Sequence, residues 1–323
     1  MNQEHDHPIA GVNYPRTLPE FDEWFATEKA CIEYLIRLRW PDGFYCPGCG
    51  HEKAWTTARG TLRCAICHRQ TSPTVGTIFD GTRKPLRTWF GAMWHVTCQK
   101  SGGSAMGLQR TMGLRSYQTA WAWLHKLRRA MVRPGREQLS GLVEIDETYI
   151  GGEEAGRHGR RTSKKAIVVI AVELLQPKGF GRIRVQRVAD VSSASLMPFV
   201  CQAVRPGSTV HTDGWNGYNA LADHCYTRKV SIIAAGLDPA HVVMPGVHRV
   251  ASLLKRWLLG THQGAVSNRH LDYYLDEFTF RFNRRHSGSR GLLFYRLLQQ
   301  AANSDPVIYR RLIGGKGLGE RSR

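Results

Sequence analysis

One stretch of the chain reads Val143-Glu144-Ile145-Asp146-Glu147-Thr148-Tyr149-Ile150, an apolar run interrupted by acids. Its β-branched and aromatic residues favour a buried strand, where an ionised Asp146 is costly without a positive partner. A second acid, Asp213, follows a similar run at residues 208–212. Two carboxylates at strand ends can together hold a divalent metal ion, although either one alone also fits a strand-end residue hydrogen-bonded to backbone.

Outward from this stretch, the pattern predicts a mixed α/β domain over residues 138–300. Period-two alternation and β-branched residues predict strands at 142–150, 166–174, 183–188 and 208–212. A helix is expected over 192–204, opening at a serine cap, and helical spacing returns at 248–259 and 270–283.

Toward the N-terminus, four cysteines form two Cys-x-x-Cys pairs, Cys46 with Cys49 and Cys64 with Cys67, and fourteen residues separate the pairs. Four thiolates in this spacing suit tetrahedral Zn²⁺ and predict a zinc ribbon over residues 43–76. A redox dithiol is the alternative, which two matched pairs in a short polar segment disfavour. Residues 1–42 read as a helical lead-in, with a helix over 21–40.

Residues 77–137 have helical periodicity, and their last two helices are separated by Met112-Gly113-Leu114. Two short helices joined by a glycine-containing turn are typical of a helix-turn-helix, which would bring Ser116, Gln118 and Thr119 near DNA. A plain three-helix bundle with a basic, solvated face fits the same pattern.

Composition favours a polyanionic partner. Lysine and arginine number 45 against 26 acids, which gives a formal net charge of +19. Nucleic acid is the leading candidate, although membrane surfaces and heparin-like polymers compete for the same charge and a merely basic surface is possible. We find no apolar run of about 18 residues and no export signal at the start, so we expect a cytoplasmic, nucleoid-associated protein with a basic, disordered C-terminal tail over 301–323.

Further motifs follow Asp213. These are the turn Gly214-Trp215-Asn216-Gly217-Tyr218, interpreted as letting backbone approach a phosphate, and a helix on which His248, Ser252 and Lys255 share one face. Together with the paired cysteines, with residues 144–152 and 211–218 and with Arg281-Phe282-Asn283-Arg284-Arg285, they span nearly the whole chain. In these motifs the chain resembles the bacterial insertion-sequence transposases of the DDE superfamily, which join a zinc ribbon to an RNase H-like transposase domain.

The resemblance implies a catalytic set of Asp146, Asp213, His248 and Lys255, with the first three holding Mg²⁺ or Mn²⁺. It also implies DNA contacts from Lys255 and Arg256, and assembly as a homodimer or larger oligomer on paired DNA ends. Family members usually carry Glu where this chain has His248, a neutral ligand that suits Mn²⁺ better than Mg²⁺. A helix-start histidine that merely hydrogen-bonds is the alternative for His248, and a basic residue that only coats its helix is the alternative for Lys255.

The chemistry that the resemblance implies is cleavage of double-stranded DNA at terminal inverted repeats, followed by attack of the new 3′-OH on target DNA. Two ions about 3.5–4 Å apart would serve both steps. An inactive DNA-binding regulator and an RNase H-like nuclease are the alternatives. Glu277 is a rival third acid, which we expect instead to pair with Arg281 on a solvated helix face.

Overall fold

The computed structural model describes residues 7–133, 135–152, 165–232, 239–264 and 266–314. The chain forms two compact units: Met1–Arg133 with His286–Ser322, and Pro134–Arg285. Among the helices that these residues form, none combines the length and apolar character needed to cross a membrane.

The first unit is mainly helical. Its described helices are α1 (Leu18–Trp24), α2 (Glu28–Arg39), α3 (Leu86–Cys98), α4 (Ala105–Thr111), α5 (Tyr117–Ala130), α10 (Arg290–Ala302) and α11 (Tyr309–Ile313). The helix predicted over 21–40 is two helices, because the Thr27 hydroxyl accepts a hydrogen bond from the Ala30 amide (3.2 Å) and caps α2. The short antiparallel strands β1 (Ala54–Thr56), β2 (Leu62–Cys64) and β3 (Gln70–Thr71) form the ribbon.

An aromatic cluster explains why α10 belongs to this unit. The Phe294 ring lies 5.3 Å from the ring of Phe21, 5.7 Å from that of Phe25 and 5.6 Å from that of Trp94. The sequence predicts one domain over residues 138–300, but the unit that contains the large sheet ends at Arg285. Periodicity identifies the apolar face of a helix and does not say which core buries it. Helix α11 likewise lies within the predicted tail, and residues 315–323 fall outside the described residues.

The second unit contains a five-stranded sheet in the order β6-β5-β4-β7-β8. The strands are β4 (Leu142–Ile150), β5 (Ala166–Leu174), β6 (Phe180–Val188), β7 (Thr209–Thr212) and β8 (Thr227–Val230). Strands β4, β5 and β6 pair antiparallel, whereas β7 pairs parallel with β4 and with β8. This mixed α/β order is that of an RNase H-like domain, as predicted. Strand β8 was missed, because its residues are mostly exposed and lack an apolar pattern.

Helices cover both faces of the sheet. They are α6 (Ser193–Ala203), a 3-10 helix (Asn216–His224), α7 (Ala240–Val243), α8 (Pro245–His262) and α9 (Leu271–Asn283). Val143 and Ile145 of β4 pack in the core beneath α6, whereas Ile170 of β5 packs beneath α8 and α9. Because side chains alternate along a strand, Glu144 and Asp146 share the face that α8 covers.

The Arg281–Arg285 motif fastens α9 to the edge strand β6. The Asn283 side chain accepts a hydrogen bond from the Ile183 amide (2.7 Å) and donates one to the Ile183 carbonyl (3.1 Å). Arg285 donates to the carbonyls of Phe180 and Gly181. Glu277 pairs with Arg281 as predicted (2.7 Å), but the helix face is not solvated, since Glu277 is only 1% exposed.

Candidate active site

The ribbon cysteines converge as their spacing predicts. The four sulfur atoms lie within 4.8 Å of one another, with Cys46 Sγ 3.4 Å from Cys67 Sγ and Cys49 Sγ 3.6 Å from Cys64 Sγ. Four sulfurs at about 2.3 Å from one zinc ion would stand about 3.8 Å apart, so the cluster fits Zn²⁺ closely. The Gly48 amide, 3.4 Å from Cys46 Sγ, acts together with the Cys49 amide and the neighbouring cysteine side chains to lower the pKa of the Cys46 thiol to about 6, which favours the thiolate that zinc binds.

Asp146 lies in β4, and Asp213 directly follows the neighbouring parallel strand β7. The parallel ladder ends with Glu144 of β4 opposite His211 of β7, so Asp146 lies two residues beyond the last pair and Asp213 lies one residue beyond the end of β7. Strand alternation places the Asp146 side chain on the α8 side of the sheet. The Asp146 carboxylate accepts a hydrogen bond from the Glu147 amide (2.8 Å), and that of Asp213 accepts one from the Trp215 amide (3.0 Å).

Helix α8 brings the other predicted residues to Asp146. His248, Ser252 and Lys255 lie along one side of it and, with Asp146, line a cavity of about 490 Å³. Glu147, Thr148, Tyr149, Ile170, Val247 and Ala251 complete the lining. A carboxylate, an imidazole, a hydroxyl and an ammonium group thus face one space, which suits a metal ion and a phosphate.

His248 carries an unused ligand atom. Its Nε2 is buried and has no hydrogen-bond partner within the part of the chain that the structure describes. Burial lowers the pKa of His248, and the nearby His241 and Lys255 lower it further, so the imidazole is kept neutral. A neutral imidazole nitrogen with an available lone pair is the form that binds metals.

Asp213 is less closely joined to this group. It is not among the residues that line the cavity. Within the described residues, the cysteine cluster is the one set of three or more potential ligands whose atoms lie within 4.8 Å of one another, so Asp146, Asp213 and His248 are spread more widely than that.

The sequence does not indicate that Tyr218 hydrogen-bonds to Glu147. This side chain is fully buried, and its hydroxyl donates a 2.5 Å hydrogen bond to Glu147. Burial and the carboxylates of Glu147, Asp146 and Asp213 raise the pKa of Tyr218 well above its usual range, which keeps the donor proton in place. The neighbouring Gly217 is buried as well, where an added Cβ would meet the Val191 carbonyl at 2.6 Å. The absence of a side chain at Gly217 therefore serves packing.

The predicted DNA-reading residues lie at the start of α5. Helices α4 and α5 pack together, and Gly113 between them has a positive φ of 59°. The Ser116 hydroxyl caps α5 by accepting from the Thr119 amide (3.4 Å), so its first role is structural. Gln118 is exposed and Thr119 is half-buried. Near Asp146, Lys255 and Arg256 are also exposed.

Comparison with known proteins agrees with this geometry. Residues 138–283 match the model of the ISXO2-like transposase domain, and residues 26–70 match that of the transposase zinc-ribbon domain. The chain belongs to the insertion-sequence transposases with a zinc ribbon. An uncharacterized protein in transposable element ISH50 of Halobacterium salinarum is 29% identical to this transposase over 278 residues, which cover 80% of the chain and 91% of the relative.

The two matched segments correspond to the zinc ribbon and to the large-sheet domain of the transposase. The zinc-ribbon match ends at Gln70, just beyond the fourth cysteine. The transposase-domain match runs from just before β4 to the end of α9, and so contains the sheet, both aspartates and α8. The four cysteines form its structural zinc site.

Proposed function

We propose that this transposase cleaves DNA at the ends of its insertion sequence and joins the released 3′-OH ends to target DNA. The observation that carries the proposal is the cavity that Asp146 shares with His248 and Lys255 of α8, with Asp213 following the end of the adjacent parallel strand β7. The two carboxylates, together with an imidazole nitrogen that is buried and has no hydrogen-bond partner among the described residues, form a donor set that suits Mn²⁺ or Mg²⁺.

Asp146, Asp213 and His248 would hold the divalent ions, which when bound activate water or a 3′-OH and stabilise charge on the phosphate oxygens. The two aspartates would supply the negative charge that attracts cations to the site. His248 supplies a neutral nitrogen, so the site carries one negative charge fewer than one with three acids.

Basic and hydroxyl groups on α8 would hold the DNA backbone at the site. Lys255 shares the cavity with Asp146, and its exposed ammonium group can reach a phosphate as a point charge. Ser252 lies between His248 and Lys255 on the same face and offers a hydroxyl. Arg256 is exposed beside them and would contact the phosphates that follow.

Two surfaces of the N-terminal unit would bind double-stranded DNA at the terminal repeats. On α5, the exposed Gln118 and the half-buried Thr119 follow the capping Ser116. On the ribbon, the strand register aligns Trp55, Arg63 and Gln70 across one face, with the Arg63 guanidinium 5.7 Å from the centre of the Trp55 ring. An aromatic ring, a guanidinium and an amide side by side are groups that contact bases and phosphates. Binding of two DNA ends would require a homodimer or larger assembly.

The test incubates purified full-length protein with DNA that carries its own terminal repeats, a target plasmid and either Mn²⁺ or Mg²⁺. We expect metal-dependent nicking at the repeat ends and transfer of the 3′ ends into the plasmid. Asp146→Asn and Asp213→Asn should each slow nicking by about a thousandfold or more, with DNA affinity retained. Asp223→Asn, at an exposed aspartate of the 3-10 helix, is the matched control.

Other outcomes identify the alternatives. Intact repeat binding without metal-dependent nicking would indicate a DNA-binding regulator. Nicking without transfer of 3′ ends would indicate a nuclease.

A further inference from the structure

Helix α8 begins without a side-chain cap of its own. Met244 occupies the cap position and makes no capping hydrogen bond, and Pro245 has no N–H to donate. The next two amides, those of Gly246 and Val247, therefore need acceptors from elsewhere, because the first amides of a helix have no partner within it.

Glu144 of β4 supplies that acceptor from about a hundred residues away in the chain. Its carboxylate accepts a hydrogen bond from the Val247 amide (3.0 Å), and the Gly246 amide beside it also favours the ionised form. The side chain is only 1% exposed, a position that is costly for a carboxylate. Burial raises the pKa of Glu144, and the two amides and the positive end of the helix dipole offset part of that cost.

Gly246 makes this close approach possible. A Cβ added at Gly246 would stand 2.8 Å from Glu144 Oε2 and 3.0 Å from Leu174 Cδ2. Any other residue would displace the Glu144 carboxylate or the Leu174 side chain from its place against the first turn of α8. The contact between β4 and the start of α8 therefore depends both on the Glu144 carboxylate and on the absence of a side chain at Gly246.

The contact sits directly beside the proposed metal site. His248 follows Val247 in α8, and Asp146 lies two residues beyond Glu144 on the same face of β4. We infer that Glu144 is a positioning residue that fixes the start of α8 against β4, so that His248 is held beside Asp146. The inference rests on the proposed function, in which those two side chains share a divalent ion.

The test compares the nicking rate at saturating DNA and Mn²⁺ for several variants of the full-length protein. Glu144→Ala should slow nicking about a hundredfold without changing DNA affinity, because small displacements of reacting groups cost about this much. Glu144→Gln should restore most of the rate, since its amide oxygen can still accept from the Val247 N–H. Gly246→Ala should also slow nicking, but it should add little to Glu144→Ala, in which the carboxylate that it would strike is gone.

Glu173 provides the matched control. This β5 carboxylate is also buried (8% exposed) and also accepts from backbone amides, those of Ser140 (3.0 Å) and Arg182 (2.9 Å). Glu173→Ala should lower the free energy of unfolding as Glu144→Ala does, yet leave the nicking rate unchanged. Loss of stability alone would slow both variants equally.

Amide hydrogen exchange gives a readout that does not need catalysis. In Glu144→Ala, the Gly246 and Val247 amides should exchange faster than in Glu173→Ala, while the rest of α8 is unchanged. Parent-like nicking by Glu144→Ala, or unchanged exchange at these amides, would overturn the inference. If the parent protein does not nick DNA, the proposed function fails and the exchange data decide alone: faster exchange confined to the start of α8 supports the contact, and unchanged exchange overturns it.

Discussion

His248 is the residue on which the metal preference of the proposed site depends. Its Nε2 is buried and makes no hydrogen bond to any described residue, and burial holds its pKa below the usual value. In the proposed site this imidazole would stand where the resemblance implies an acid, which would remove a negative charge and replace an oxygen ligand with nitrogen. Nitrogen ligands suit Mn²⁺ better than Mg²⁺, which binds oxygen almost exclusively.

The first prediction follows from that ligand. His248→Glu should shift the ratio of nicking rates from Mn²⁺ toward Mg²⁺, and His248→Ala should lower the rate by at least about tenfold in both metals. The measurement is single-turnover nicking in each metal, with His224→Ala, an exposed histidine of the 3-10 helix, as the control. A parent-like rate and metal preference in both His248 variants would show that the imidazole only hydrogen-bonds or packs.

At the scale of the element, α9 fastens the edge of the sheet through Asn283. The Asn283 side chain accepts a hydrogen bond from the Ile183 amide and donates one to the Ile183 carbonyl. Asn283→Ala should therefore lower the free energy of unfolding by about 1–3 kcal/mol, because two backbone groups lose their partners. Asn283→Asp keeps the acceptor and should fall between the parent and the alanine variant in urea unfolding. Equal stability of all three proteins would show that the hydrogen bonds between Asn283 and Ile183 do not stabilise the fold.

Helix α5 gives a second prediction at this scale. Gln118→Ala should weaken binding to the terminal repeats by about tenfold, the loss expected for one side chain that reads a base. Binding to scrambled DNA should not change, and that comparison is the internal control. An equal loss on both DNAs would assign Gln118 to backbone contacts, and no loss on either would remove α5 from the DNA-binding surface.

The sequence predicts some of these elements well and others poorly. Strands β4 and β5 are predicted residue for residue, because they are buried on both faces and rich in β-branched side chains. The cysteine spacing predicts the zinc cluster for a similar reason, since the ligands are local in the chain. Helix α10 is assigned to the wrong unit, because its partners Phe21 and Trp94 are distant in sequence.

The site residues likewise fall into two groups, those that the sequence indicates and those that it does not. Asp146, Asp213, His248 and Lys255 stand out by residue type, by motif and by helical spacing. The contacts of Glu144 with α8 and of Tyr218 with Glu147 join segments about a hundred and about seventy residues apart. No local pattern predicts such pairs. The glycines next to them, Gly246 and Gly217, are the one available signal, because each marks a close approach.

At the scale of the whole molecule, the zinc site and the proposed surfaces for the terminal repeats belong to one unit, and the aspartates belong to the other. Strands of two or three residues cannot hold the ribbon without its metal. Cys64→Ser should therefore lose zinc and affinity for the terminal repeats, while the amides of β4 and β5 stay protected from exchange. Cys225→Ser, at an exposed thiol outside the cluster, should retain both. Full zinc content and parent-like DNA affinity in Cys64→Ser would refute a structural zinc site.

The large positive charge gives the whole chain a further property. With a formal net charge of +19, its DNA affinity should fall steeply with added salt, because phosphate contacts release counterions. Nicking measurements on different variants therefore need one fixed ionic strength. At one ionic strength, a change in the nicking rate reflects a change at the active site and not a change in the long-range electrostatic attraction to DNA.

The central claim is that Asp146 and Asp213 hold the same divalent ions together with His248. Its most direct test is anomalous diffraction from a crystal of the full-length protein grown with Mn²⁺ and a DNA end. We predict manganese bonded to a carboxylate oxygen of both aspartates and next to the His248 imidazole. Manganese bound to only one aspartate, or only elsewhere in the molecule, would contradict the account.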